Sequence, residues 1–140
     1  MKFKIILILG AAVFLPLMSC NRFTPINLLQ EETHSMIIGI ALSSPEKSID
    51  GYAEITGNEE IKDCIQTING LKVYSGKSLV IDGDSPSAWI CVYDEKGDEI
   101  HSIYFYYDIV RYDDEEYNID ISQYDKLSKL CAKYGECRKE

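Results

Sequence analysis

Two short apolar runs joined by a turn in the second half of the chain constrain the fold more than any other feature. These runs, Ala88–Tyr93 and Ile100–Tyr106, flank the turn residues Lys96 and Gly97. Short apolar runs bounded by turn residues are typical of β-strands, and a two-residue turn ending in glycine joins antiparallel strands. Both faces of this predicted hairpin carry apolar residues, so the sequence does not identify the core side. The predicted cross-strand pairs are Val92 with His101, Ile90 with Ile103, and Ala88 with Phe105.

A second hairpin is predicted around the acidic turn Asp113–Glu116. This turn would place Tyr112 near Tyr117 and Val110 near Ile119. Residues 117–121 alternate between apolar and polar types, which indicates a strand with one buried face.

The preceding part of the chain is predicted to hold shorter strands. Met36–Leu42 is an apolar run rich in β-branched residues, typical of a buried strand. Pro45 and Asp50-Gly51 indicate a turn, and Tyr52–Thr56 follows it as a second strand. Two further strand-like runs are Leu71–Ser75 and Ser78–Ile81.

Two amphipathic helices are predicted from apolar residues spaced three and four apart. The first has Asn58 as its N-cap and ends at Gly70. The second begins with Ser122 and Asp125, a variant of the capping box, and ends at Gly135. The apolar side of the first helix contains Ile61, Cys64, Ile65 and Ile68, and that of the second contains Tyr124, Leu127, Leu130, Cys131 and Tyr134.

These elements predict an α+β fold, with two amphipathic helices packed on a mainly antiparallel β-sheet of four to six strands. Residues 33–140 are expected to form a single domain. The order of helix, meander and helix is loosely similar to that of inhibitor domains such as the β-lactamase inhibitor proteins. This similarity is one of architecture alone, shares no motif and carries no function.

The N-terminus has the order of an export signal. Lys2 and Lys4 precede the almost entirely apolar run Ile5–Leu17. This run is shorter than the roughly 20 residues that a membrane-spanning helix needs. A cleaved signal is therefore favoured over a retained transmembrane anchor.

Leu17-Met18-Ser19-Cys20 resembles the lipobox of bacterial lipoprotein precursors. The resemblance implies cleavage after residue 19 and a diacylglyceryl thioether on Cys20, with acyl chains that anchor the protein to a membrane. Residues 20–32 would then form the lipidated N-terminus and a tether. The expected location is the bacterial cell envelope, and Asn21 is compatible with the outer membrane or the cell surface. The alternative is ordinary signal cleavage with an unmodified Cys20, which Leu17 fits poorly.

Charge limits the partners of the mature chain. The signal peptide contains two of the 14 basic residues and none of the 23 acidic ones, which leaves twelve against 23 and a net charge of −11. Nucleic acid and anionic lipid would be repelled, whereas a basic protein would be attracted. Solubility alone is the alternative explanation of this charge.

Four cysteines remain after Cys20, and an exported chain with an even number of cysteines suggests disulfides. The preferred pairing is Cys131 with Cys137, across the predicted end of the second helix. Cys64 and Cys91 would be linked to each other or remain buried thiols, and a cross-pairing of Cys91 with Cys137 stays open. The spacings do not match a zinc site.

Catalytic and metal-binding motifs are not found in the sequence. His34 and His101 are tied to no nucleophile by a known motif. The acidic residues at 82–84 and 113–116 lack the frame of a calcium loop. The sequence therefore predicts a protein that is not an enzyme, with no catalytic residue, metal or cofactor.

Aromatic residues provide the remaining candidate site. Trp89, Tyr93 and Tyr104 share one face of the first hairpin. An uncovered face of this kind suits a sugar ring or a protein partner, although a sheet covered on both faces is the favoured interpretation.

Two classes of function follow. The first is a non-catalytic binding or accessory module at the envelope, including an acidic inhibitor or immunity protein that contacts a basic enzyme or toxin through Asp113, Asp114, Glu115 and Glu116. The second is a domain for a small ligand such as a glycan, which would use Trp89, Tyr93, Tyr104 and His101.

Overall fold

The computed structural model describes residues 25–75 and 85–140. The predicted signal peptide, the lipobox with Cys20, the strand predicted for Ser78–Ile81 and the acidic residues at 82–84 lie outside this part of the chain. Within it, the buried apolar side chains of the sheet and of both helices form a single core cluster.

An antiparallel sheet dominates the described residues. Its eight strands have the spatial order β3-β7-β6-β5-β4-β1-β2-β8. Consecutive hairpins connect β4 to β7, whereas β8 returns after the last helix to pair with β2. The strands are β1 Ser35–Ser43, β2 Ser48–Ile55, β3 Val73–Ser75, β4 Ala88–Tyr93, β5 Glu99–Tyr106, β6 Ile109–Tyr112, β7 Glu115–Ile119 and β8 Glu136–Lys139.

Two α-helices pack on one side of this sheet. They are α1, Asn58–Asn69, and α2, Tyr124–Tyr134, and single-turn 3₁₀ helices lie at Gln30–Glu32 and Ile121–Gln123. The predicted apolar sides of both helices face the core, with Tyr134 at their margin. The predicted N-caps are wrong, because Gly57 precedes α1 and the Asp120 carboxylate accepts the Ser122 N–H at 2.8 Å. The predicted C-terminal ends are confirmed, since Gly70 caps the end of α1 and Gly135 caps that of α2.

The α+β class and the antiparallel sheet are confirmed, but the predicted count of four to six strands is wrong. Asp50 and Gly51, predicted as a turn, lie within β2, and the turn falls at residues 44–47 instead. The predicted C-terminal tail forms β8 at the sheet edge. Gly135 permits this pairing, because a Cβ atom there would lie 2.1 Å from the Tyr52 carbonyl oxygen.

The first hairpin has the predicted pairs, Ala88 with Phe105, Ile90 with Ile103, and Val92 with His101. Its turn has three residues rather than two, since Gly97 takes a positive φ of 82° and the register shifts after Val92. A glycine in this conformation is typical of three-residue hairpin loops.

The second hairpin has a different register from the predicted one. Tyr112 pairs with Glu115, and Val110 pairs with Tyr117. The loop is a two-residue turn in which Asp113 and Asp114 have φ values of 44° and 77°. Positive φ at both positions is the type I′ geometry that suits the twist of a hairpin, and aspartate tolerates it better than most residues.

Part of the segment predicted as a tether belongs to the folded domain. Ile26 and Leu28 are buried in the core. The Asn69 side chain holds this segment at the end of α1, because its Oδ1 accepts the Leu28 N–H at 2.8 Å and its Nδ2 donates to the Leu28 carbonyl at 3.0 Å.

Candidate functional site

The sheet has one face toward the helices and one face away from them, which we call the open face. The open face carries Trp89, Tyr93 and Tyr104, which share one side as predicted, together with Tyr52, Tyr74 and Tyr106. Tyr52 and Tyr74 are 48% and 56% exposed, and the other four rings are half-buried. The sequence favoured a sheet covered on both faces, but the described helices cover only one.

The centre of the open face is a row of residues that are paired across seven adjacent strands. Trp89 occupies its middle, and Gly39 lies beside it on β1. A Cβ atom at Gly39 would lie 2.1 Å from the indole Cε2 and Cζ2 atoms, so the Trp89 ring fills the space above this glycine. The row consists of Glu136, Tyr52, Gly39, Trp89, Tyr104, Arg111 and Glu116.

A polar cluster adjoins the indole on β4 and β5. The Cys91 thiol lies among Tyr93, Tyr104 and Glu99. Burial raises the pKa of Cys91, and the Glu99 carboxylate adds to this effect. Burial is also the main cause of the raised pKa of Tyr93 and of Tyr104. A thiol with a raised pKa is a poor nucleophile at neutral pH.

Arg111 lies toward the β7 end of the row. Its Nη2 donates to Glu116 Oε1 at 2.8 Å, and its guanidinium carbon lies 5.8 Å from the centre of the Tyr106 ring. Stacking of arginine on an aromatic face is favourable. The open face therefore already seats one cation of its own on an aromatic ring.

Part of the acidic turn that was predicted as a contact site has a structural role. Asp113 Oδ2 lies 2.5 Å from His101 Nδ1, and Asp113 Oδ1 accepts the Ser102 N–H at 3.0 Å. Glu116 pairs with Arg111, whereas Asp114 and Glu115 are exposed. Because Asp113 and Glu116 are engaged within the domain, the turn does not offer four free carboxylates.

His101 does not join the aromatic residues. It pairs with Val92 and therefore points to the helix side, opposite Trp89 and Tyr104. There it borders an open depression of about 550 Å³. The four residues predicted for a glycan pocket thus lie on two sides of the sheet and do not form one site. The depression is lined by Glu31, Glu32, Asp94, Glu95, Lys96, Ile100 and His101.

The described cysteines, Cys64, Cys91, Cys131 and Cys137, are all free thiols. Cys131 is buried and its Sγ donates to the Ile38 carbonyl at 3.7 Å, whereas Cys137 lies half-buried on β8. Burial raises the pKa of Cys64 and of Cys131 to about 12. The pairing of Cys131 with Cys137 is not made in this structure and stays a prediction for the oxidised protein.

Comparisons with protein-family models, with curated proteins and with solved structures found no match for the chain. Among the described residues, no three His, Cys, Asp or Glu side chains are placed to hold a metal ion. No described helix is long and apolar enough to cross a membrane.

Several residues of the open face were not predicted as part of a site. Tyr52 and Glu54 were placed only in a strand, and Glu136 in a tail. The alternation of buried Ile49, Ala53 and Ile55 with polar residues was a usable signal for the exposed side of β2. Gly39 carried no such signal, because its role depends on a ring contributed by β4.

Proposed function

We propose that the chain is a lipid-anchored, non-catalytic binding module of the bacterial cell envelope, and that the open face is its binding surface. The single observation that carries this proposal is the row of aromatic rings on the side of the sheet that the described helices leave uncovered. Aromatic side chains dominate the energy of protein interfaces. The anchor rests on the resemblance of residues 17–20 to a lipobox.

The edge of this row offers a site for a direct test. Tyr52 is 48% exposed near one edge of the sheet, and Tyr107 is equally exposed in the turn between β5 and β6, outside the strands of the open face. We would replace each tyrosine separately with a photo-activatable phenylalanine in the full chain and irradiate intact cells.

The expected result is a discrete cross-linked product with the probe at 52 and none with the probe at 107. The matched exposure of the two sites controls for random collision. Equal cross-linking at both positions, or none at 52, would contradict a binding role for the centre of the open face.

A further inference from the structure

The open face is acidic as well as aromatic. Five carboxylates lie on it against two arginines, Arg111 and Arg138. Arg111 pairs with Glu116, and Arg138 lies opposite Asp50 in the strand register. The five carboxylates are those of Asp50, Glu54, Glu99, Glu116 and Glu136.

Three carboxylates are thus left without a cationic partner. Among the described residues, no ion pair involves Glu54, Glu99 or Glu136, and all three are exposed. Glu136 is the cross-strand neighbour of Tyr52, and Glu54 follows Tyr52 by two positions on the same side of β2. Neighbouring strands lie about 4.8 Å apart, so each carboxylate is within reach of a group seated on a ring.

Glu99 has the corresponding position on the other side of the indole. It is the cross-strand neighbour of Tyr93, in the cluster that contains Cys91. The aromatic row is therefore bordered by unpaired carboxylates toward β8 and toward the β4–β5 turn. An aromatic face next to a carboxylate favours a Lys ammonium or Arg guanidinium, through the ring quadrupole and a charge-assisted hydrogen bond.

We infer that the open face binds a basic polypeptide segment, with Lys or Arg side chains seated on Tyr52, Trp89 and Tyr104 and paired with Glu54, Glu99 and Glu136. This inference rests on the proposed function and names its partner class. A neutral glycan would stack on the same rings but would form no ion pair with the carboxylates. A second copy of the chain would bring a face of the same negative sign, which opposes close approach.

Trp89 provides the measurement, because it is the only tryptophan of the chain and lies at the centre of the open face. The full mature chain in a non-ionic detergent would be titrated with a short peptide rich in Lys and Arg. The same peptide with Gln at every basic position, and a neutral oligosaccharide, are the comparison ligands. We expect a saturable change in Trp89 emission with the basic peptide alone.

Salt should weaken this binding. The Debye length falls from about 10 Å at 0.1 M to about 3 Å at 1 M ionic strength, which screens exposed charges. Each exposed ion pair contributes little by itself. The loss of all three, in a variant with Glu54→Gln, Glu99→Gln and Glu136→Gln, should therefore weaken peptide binding by about tenfold.

The matched control neutralises three exposed glutamates away from the open face, with Glu31→Gln, Glu46→Gln and Glu59→Gln. Both variants change the net charge equally, so the control should lose less than about twofold in affinity if the open face is the site. Tyr52→Ser, at an exposed position, is a second variant that should weaken binding by severalfold without disturbing the core.

Equal losses in the two triple variants would mean general attraction to an acidic protein and would overturn the inference. A response to the oligosaccharide instead of the peptide would also overturn it. If either result came with a cross-linked product at position 52, the open face would still bind a partner, but of different chemistry. If the cross-link were absent as well, the proposed function would fail with the inference.

Discussion

Gly39 allows a sharp test of how the open face is built, because strand propensity and packing predict opposite signs for Gly39→Ala. Glycine within a strand is less stable than alanine by about 0.5–1 kcal/mol, so propensity alone predicts a stabilised variant. In the structure, however, the new Cβ atom would lie 2.1 Å from two indole carbons, whereas ordinary contact begins at 3.4 Å. The indole of Trp89 must then move by at least about 1.3 Å.

We expect the steric clash with Trp89 to outweigh the gain in strand propensity. The free energy of unfolding should fall by about 1–3 kcal/mol, as for other overpacked sites. Urea denaturation followed by circular dichroism gives this free energy. The emission of Trp89 should also shift to the red, because the ring loses its position above β1 and meets more water.

A double-mutant cycle isolates the cause. In a Trp89→Ala background the clash is absent, so Gly39→Ala should be neutral or stabilising by roughly 0.5–1 kcal/mol. Destabilisation of the same size in both backgrounds would refute the placement of the indole above Gly39.

Three further predictions concern the rest of the molecule. Cys20→Ser should abolish incorporation of a labelled fatty acid, and labelling that persists would contradict the lipobox interpretation. The free energy of unfolding should fall as pH rises from about 9 toward 12, because Cys64 and Cys131 keep their protons when folded but lose them near the ordinary thiol value of 9.0 when unfolded. The slope should approach about 1.4 kcal/mol per pH unit for each thiol, and a Cys64→Ala/Cys131→Ala variant should have a clearly shallower slope in pH-dependent urea titrations. Asn69→Ala should lower the free energy of unfolding by about 1–3 kcal/mol, since it leaves the Leu28 main chain unpaired. It should also expose the N-terminal segment to proteases, and unchanged proteolysis would contradict the role of Asn69 in holding this segment.

Local patterns in the sequence were sufficient for the elements whose geometry is local. The pairing of β4 with β5 could be predicted because both are short apolar runs and Gly97 marks the turn between them. The buried sides of α1 and α2 followed from helical spacing. In each case the information lies within a few residues of the feature itself.

Two features lacked a recognisable signal in the sequence. The register of β6 with β7 depends on positive φ values at Asp113 and Asp114, which are not glycine. The strand β8 has no alternation, and its pairing requires a close approach of Gly135 to β2, which is distant in sequence.

The sequence also does not show which face of the sheet is the open face. Residues 88–106 are apolar on both sides, so alternation defines two faces without saying which one the helices cover. The packing of α1 and α2 determines which face is covered, and therefore whether Trp89 lies in the core or on the surface.

Hydroxyl-radical footprinting of the same protein, purified and in intact envelopes, tests the central claim most directly. Tyr52 and Tyr107 are both 48% exposed, so both should be labelled in the purified protein. If a partner occupies the open face, Tyr52 should be protected in the envelope while Tyr107, in the turn between β5 and β6, reacts as before. Equal labelling of Tyr52 in both preparations would contradict the account.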